Sequence, residues 1–168
     1  MKQVLPEVIT EKELIEVVKG VTNSRHKLAF LLGFYECMRV SEVAKLRPEH
    51  VQKETKLLLI KQAKGNKDRN IPIAPEVLRG LKHLPIGNDE AKDKGVRAIQ
   101  VAWNKASKKA LGNSLNFHLL RHSGITHYLT EKKWNSLEVQ RLAGHSKVSI
   151  TEIYAHIRPE HLVNRMWE

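Results

Sequence analysis

The chain has 168 residues, enough for one domain with its own core and no need of disulfide or metal staples. Hydrophobic content of 41% and charged content of 28% exclude wholesale disorder and the fibrous or low-complexity classes. Lys and Arg number 29 against 18 Asp and Glu, and the net charge of +11 points to a polyanionic partner, nucleic acid before a membrane surface.

In chain order, Met1 to Pro6 has no apolar stretch of the signal-peptide kind. Thr10-Glu11-Lys12-Glu13 reads as a capping box that opens a short helix, which Gly20 closes. Ser24 caps a second helix running to about Met38. Its apolar residues Leu28, Phe30, Leu31, Leu32, Phe34 and Tyr35 cover most faces, so this helix is expected at the centre. The run Leu28 to Tyr35 is the longest apolar stretch, far short of the roughly 18 residues of a membrane span. Cys37 is the one cysteine, which excludes an internal disulfide and suits a reducing compartment such as the cytoplasm. A third helix runs from Ser41 to Leu46, stopped by Pro48.

The pattern then changes. Leu57–Ile60 and Asn70–Ile73 are short β-capable runs around the turn-rich, basic Gln62–Asp68, which predicts a β-hairpin with a basic tip. Pro72 confines its strand to an edge. Pro75 at a first helical position opens a helix ending near Leu84. Pro85–Gly95 is a polar loop, too short to separate two cores. Val96–Leu111 is a basic helix ended by Gly112-Asn113. Helices follow over His118–Lys132, from a Ser136 cap to Gly144, over Val148–His156 and over Pro159–Trp167. The fold class is mainly α with one small antiparallel sheet, and residues 1–168 form a single domain. The charge excess sits in the middle: residues 61–115 hold 12 basic and 5 acidic groups. Aromatic content of 5% argues against a base-stacking single-strand binder.

Among residues that carry chemistry, His118 and His122 stand at i, i+4. No Glu lies between them, Arg121 opposes a cation there, and no Cys cluster exists, so no metal site is expected. Nucleotide-binding glycine loops and a serine elbow are also missing. A different set suits phosphoryl transfer: Arg39 before a helix with Glu42 three residues on, Lys64 at the hairpin tip, His118 and Arg121 on one helix face, His145 after Gly144, and Tyr154 nine residues further. A pentacoordinate phosphorane carries extra charge on its non-bridging oxygens, which arginine forks match bidentately. A tyrosine hydroxyl can attack phosphorus in a strongly positive setting. Lysine or histidine can protonate a departing alkoxide.

These residues carry a family resemblance. Cys37-Met38-Arg39-Val40-Ser41-Glu42-Val43-Ala44-Lys45-Leu46 resembles the first arginine box of the tyrosine recombinases, the phage integrase family. Lys64-Gly65-Asn66-Lys67-Asp68-Arg69 with Ile71-Pro72-Ile73 resembles their β-hairpin, and His118-Leu119-Leu120-Arg121-His122 their His-x-x-Arg box. Leu142-Ala143-Gly144-His145-Ser146 and Thr151-Glu152-Ile153-Tyr154-Ala155-His156 resemble the last two boxes. The resemblance spans about Thr10 to His161. It implies the recombinase catalytic-domain fold, with the family's N-terminal DNA-clamp domain absent from this chain. It also implies site-specific strand cleavage and rejoining through a 3′-phosphotyrosine, without metal or other cofactor.

By the same resemblance, Tyr154 is the nucleophile, Arg39 and Arg121 clamp the scissile phosphate, and Lys64 protonates the leaving 5′ oxygen. His118 assists proton movement at the tyrosine, His145 hydrogen-bonds the phosphate, and Glu42 orients Arg39. The implied partner is duplex DNA inside a prokaryotic cell, the gene being cellular, viral or plasmid-borne. The implied assembly is a homotetramer on DNA joined through the C-terminal segment, with a monomer as the form of the isolated chain. For Pro159–Trp167 two placements stand open: passed to a neighbour, or packed on its own domain. The rival readings are a type IB topoisomerase, which nicks and reseals duplex, and a DNA-binding regulator without catalysis.

Overall fold

The computed structural model describes residues 7–61, 68–144 and 159–168. Helix α1 spans Glu11–Lys19. Thr10 Oγ1 accepts from the Glu13 amide and the Glu13 carboxylate accepts from the Thr10 amide, the reciprocal box expected from the sequence. The chain enters α1 pinned to the body of the protein, because the Ile9 amide donates to Ser123 Oγ at 2.9 Å.

Helix α2 spans Ser24–Tyr35. Its cap is Asn23, whose Oδ1 accepts from the amides of Arg25 and His26, so Ser24 is the first helical residue instead of the cap. The helix ends at Tyr35, short of the expected Met38, because Cys37 turns the chain with φ of +52°. Leu28, Ala29, Phe30, Leu32, Phe34 and Tyr35 are all buried, which makes α2 the central helix the apolar pattern calls for. Fully burying each Leu or Phe there contributes about 1.5–3 kcal/mol. Phe30 meets Trp103 edge-on at 5.0 Å, and Trp103 Nε1 donates to the Asn116 carbonyl at 3.0 Å, so the indole is buried with its polar atom satisfied.

Helix α3 spans Val40–Lys45, and a 3₁₀ turn at Pro48–His50 leads into the sheet. The sheet has three antiparallel strands in the order β1 (Val51–Gln52), β2 (Leu57–Ile60), β3 (Arg69–Pro72). Leu57 pairs with Pro72 and Ile60 with Arg69, so the hairpin is in register and Pro72 sits on an edge strand as expected. The two-residue β1 carries no apolar run, so no sequence pattern predicts it. Helix α4 is one turn, Pro75–Leu78, and the chain to His83 tightens into 3₁₀ instead of continuing to Leu84. Helix α5 spans Val96–Leu111 and stops at Gly112, whose φ is +83°. Helices α6 (His118–Thr130), α7 (Ser136–Ala143) and α8 (Pro159–Met166) complete the described elements. Asn135 caps α7, Ser136 being again one residue inside the helix. The helix expected over Val148–His156 lies outside the described residues. No helix among the described residues is long and apolar enough to cross a membrane.

Helix α8 packs against its own chain. Leu162 and Met166 are buried, Arg165 Nε donates to Glu138 at 2.8 Å, and Trp167 Nε1 donates to the Ile73 carbonyl at 3.1 Å. The Lys56 ammonium lies 3.9 Å from the centre of the Trp167 ring.

Glu36, at the end of α2, is fully buried, and its Oε1 accepts from the Ala74 amide at 2.6 Å. Burial holds its carboxyl well above the ordinary range, and the Ala74 hydrogen bond offsets only part of that. With the folded pKa raised, the folded chain binds more protons than the unfolded chain above about pH 4.5, so Glu36 costs stability increasingly as pH rises. Glu36→Gln is therefore expected to melt higher than the wild type at pH 8, by about 2–4 °C for each kcal/mol recovered. The two should converge near pH 4.5. Melting curves at both pH values check this, and a difference independent of pH would contradict it.

Candidate active site

The first segment of the site is the corner between α2 and α3. Met38 is buried there and Arg39 sits at the N-terminal entry of α3, half-buried. Glu42 stands three residues into α3, where its Oε1 accepts from the Arg39 amide at 2.9 Å. This is the helix-start geometry that a carboxylate at the third helical position provides. Glu42 also takes the Arg69 guanidinium: Arg69 Nη1 is 2.6 Å from Glu42 Oε2. Burial pushes the Glu42 carboxyl up, but the hydrogen bond and charge of Arg69, with the Arg39 amide, outweigh it and leave it below the usual range. Glu42 is thus ionised at neutral pH.

The second segment is the start of α6. His118 is exposed, and its amide is held by Asn116 Oδ1 at 2.9 Å. Its ring meets that of His122 edge-on at 4.4 Å. Arg121, one turn on, is buried at 3% exposure. Its Nη1 donates to the Cys37 carbonyl at 2.6 Å and to the Ala143 carbonyl at 2.7 Å. One guanidinium therefore joins three segments distant in sequence: the α2–α3 corner, α6 and the end of α7. The positive φ at Cys37 is a sparsely populated conformation for a residue with a side chain, and it falls at this junction.

The electrostatics agree that these groups converge. Burial first, and then the nearby Arg39 charge, bring the Arg121 pKa down to about 10. Arg121 remains a cation at neutral pH. Partial loss of solvent around the ring comes first in holding His118 below its ordinary value, followed by the charges of His122, Arg121 and Arg39. His118 is therefore neutral at pH 7 and able to accept a proton. Two guanidiniums and a neutral imidazole form a patch suited to an anion with a proton to move.

The structure thus brings Arg39, Glu42, His118 and Arg121 together. Lys64, His145 and Tyr154 lie outside the described residues, although Gly144, immediately before His145, ends α7 with φ of +68° against Arg69. The sequence assigns no role to Arg69, yet its side chain lies inside the cluster. The available signal is its position as the first residue of a strand otherwise built of apolar and edge residues. Among the described residues no group of three or more His, Cys, Asp or Glu is arranged to hold a metal ion.

The sequence pattern of the phage integrase family matches residues 7–161, and the chain belongs to that family. It is 33% identical to tyrosine recombinase XerA of Thermococcus onnurineus (strain NA1) over 172 residues, covering 94% of this chain and 61% of that protein. The chain thus spans about three-fifths of the length of that relative. The integrase of mycobacterium phage Brujita shares the fold, with a TM-score of 0.81 and 21% identity over 99% of this chain and 58% of that one. A lambda integrase tetramer bound to a Holliday junction shares it with a TM-score of 0.65 and 20% identity over 88% of this chain and 49% of that one.

Proposed function

We propose that the chain is the catalytic domain of a site-specific DNA recombinase, cleaving and rejoining duplex DNA through a 3′-phosphotyrosine. The observation that carries this reading is the junction at Arg121. A buried guanidinium, fixed by two backbone carbonyls, stands with Arg39 and a neutral His118 in one patch. Fixed donors cost no reorganisation when charge develops on a reacting phosphate.

In the proposed step the Tyr154 oxygen attacks phosphorus as the bond from phosphorus to the 5′ oxygen breaks. The tyrosine proton passes toward His118. Arg39 and Arg121 hold the non-bridging oxygens, with His145 as a further donor. Lys64 gives its proton to the departing 5′ oxygen. The phosphotyrosine keeps the energy of the broken phosphodiester, so rejoining needs only attack by a 5′ hydroxyl in the reverse sense. Glu42 carries no proton in this scheme and orients its neighbours. The DNA-bound tetramer of lambda integrase and the net charge of +11 support duplex DNA as the partner and a tetramer on it as the working assembly.

A duplex nicked just 3′ of the scissile phosphate tests this. Cleavage releases a short 5′-hydroxyl fragment that diffuses away and traps the intermediate. A covalent protein–DNA band in the presence of EDTA is the expected result. Relaxation of supercoils without joining of two different duplexes would favour a nicking-closing enzyme, and binding with no covalent band a non-catalytic regulator.

A further inference from the structure

Arg69 is the first residue of β3, paired with Ile60 across the base of the hairpin. Below it the Lys61 ammonium and Asp68 carboxylate are 3.1 Å apart. The Arg69 side chain leaves the sheet and reaches α3, with Nη1 2.6 Å from Glu42 Oε2 and Nη2 3.4 Å from Glu42 Oε1. The two side chains are only 12% and 5% exposed. The same Glu42 Oε1 accepts from the Arg39 amide. The other side of the guanidinium lies flat on Gly144, where a Cβ would stand 2.6 Å from Arg69 Cζ and Nε. Gly144 follows Ala143, whose carbonyl holds Arg121. Arg69 Nε is buried with no partner among the described residues.

Removing an ion pair from water costs free energy that its mutual attraction offsets only in part, so such a pair is weak support for stability by itself. What this pair does achieve is registry. It ties the Arg39 amide, through Glu42, to the backbone corner that holds Arg121. We propose that Arg69 is a positioning residue of the recombinase site: its contacts with Glu42 and Gly144 set the spacing between the Arg39 and Arg121 guanidiniums. This rests on the proposed recombinase function and adds a residue to it. Arg69 does not itself touch the phosphate.

The test uses single-turnover cleavage of the nicked duplex by the wild type, Arg69→Gln and Arg69→Lys, with DNA affinity and melting temperature measured alongside. A second substrate carries a methylphosphonate at the scissile position, which removes one negative charge from the group the arginines hold. On the ordinary phosphate, Arg69→Gln should cleave about 10–100-fold more slowly than wild type, the scale of a small misplacement of catalytic groups, with DNA affinity nearly unchanged. Arg69→Lys, keeping one donor toward Glu42, should fall between them. On the methylphosphonate the Arg69→Gln defect should shrink to about threefold or less, because less charge needs clamping. A general loss of folding would slow both substrates alike.

An Arg69→Gln protein with full activity, or with equal defects on both substrates, overturns the proposal. If Arg69→Gln does not fold, Arg69→Lys alone carries the comparison, and unfolding of both assigns Arg69 to stability and overturns the proposal too. A wild type that gives no covalent band instead refutes the recombinase reading.

Discussion

Arg121→Ala is expected to lower single-turnover cleavage by about 10²–10³-fold, the usual loss when one preorganised donor to a developing charge is removed. Two contributions act together. The reacting phosphate loses a guanidinium whose planar fork suits its non-bridging oxygens. The Cys37 and Ala143 carbonyls also lose the donor that both share. Unsatisfied buried acceptors of this kind cost about 1–3 kcal/mol each unless water reaches them. Urea unfolding should therefore show a loss of stability as well. Arg121→Lys separates the two, because an ammonium keeps charge but cannot span both carbonyls and the phosphate. Its stability should recover more than its rate. Cleavage at the wild-type rate by Arg121→Ala would remove this residue from the clamp.

Gly124→Ala should damage the fold itself. Gly124 lies on α6, three residues past Arg121, where α6 crosses α2. A Cβ there would collide with the Phe34 carbonyl oxygen, and would stand 2.9 Å from its carbon and 3.1 Å from Cys37 Sγ. Alanine is the better helix former by about 1 kcal/mol. The collision is with backbone, which cannot rotate away, and forced overpacking costs about 1–3 kcal/mol or more. The net sign is destabilising. Relief requires α6 to move off α2, and that carries Arg121 away from Cys37, so cleavage should fall with stability. Gly20→Ala is the control: its φ is −84° and the nearest atom to a Cβ is 3.6 Å away. Equal melting temperatures for Gly124→Ala and wild type would contradict this account of the helix crossing.

Local signals explain what could be read from the sequence. The Thr10–Glu13 box, the stop of α5 at Gly112 and the edge position of Pro72 are each decided within a few residues, and each stands as the sequence predicts. The same locality explains the small errors. At both Asn23-Ser24 and Asn135-Ser136 two good capping residues are adjacent, and the first of each pair does the capping. The two-residue β1 and the 3₁₀ continuation after α4 depend on packing, for which no periodic pattern exists.

The site divides in the same way. Arg39, Glu42, His118 and Arg121 are legible because their types and spacing match the family's boxes. The bonds that fix them join residues 22, 27 and 84 positions apart: Arg121 with Ala143, Arg69 with Glu42, and Arg121 with Cys37. No spacing rule reaches that far, so the Arg69 contact and the two carbonyls emerge only from the folded chain.

The central claim is that this patch serves a tyrosine that bonds to DNA, and Tyr154 is the residue to change. The nicked duplex should yield a covalent band with the wild type, and digestion should leave the DNA remnant on the peptide containing Tyr154. Tyr154→Phe should bind the same DNA with similar affinity and give no band, since only a hydroxyl is lost. A band of undiminished yield from Tyr154→Phe, or a remnant on another peptide, would contradict the account.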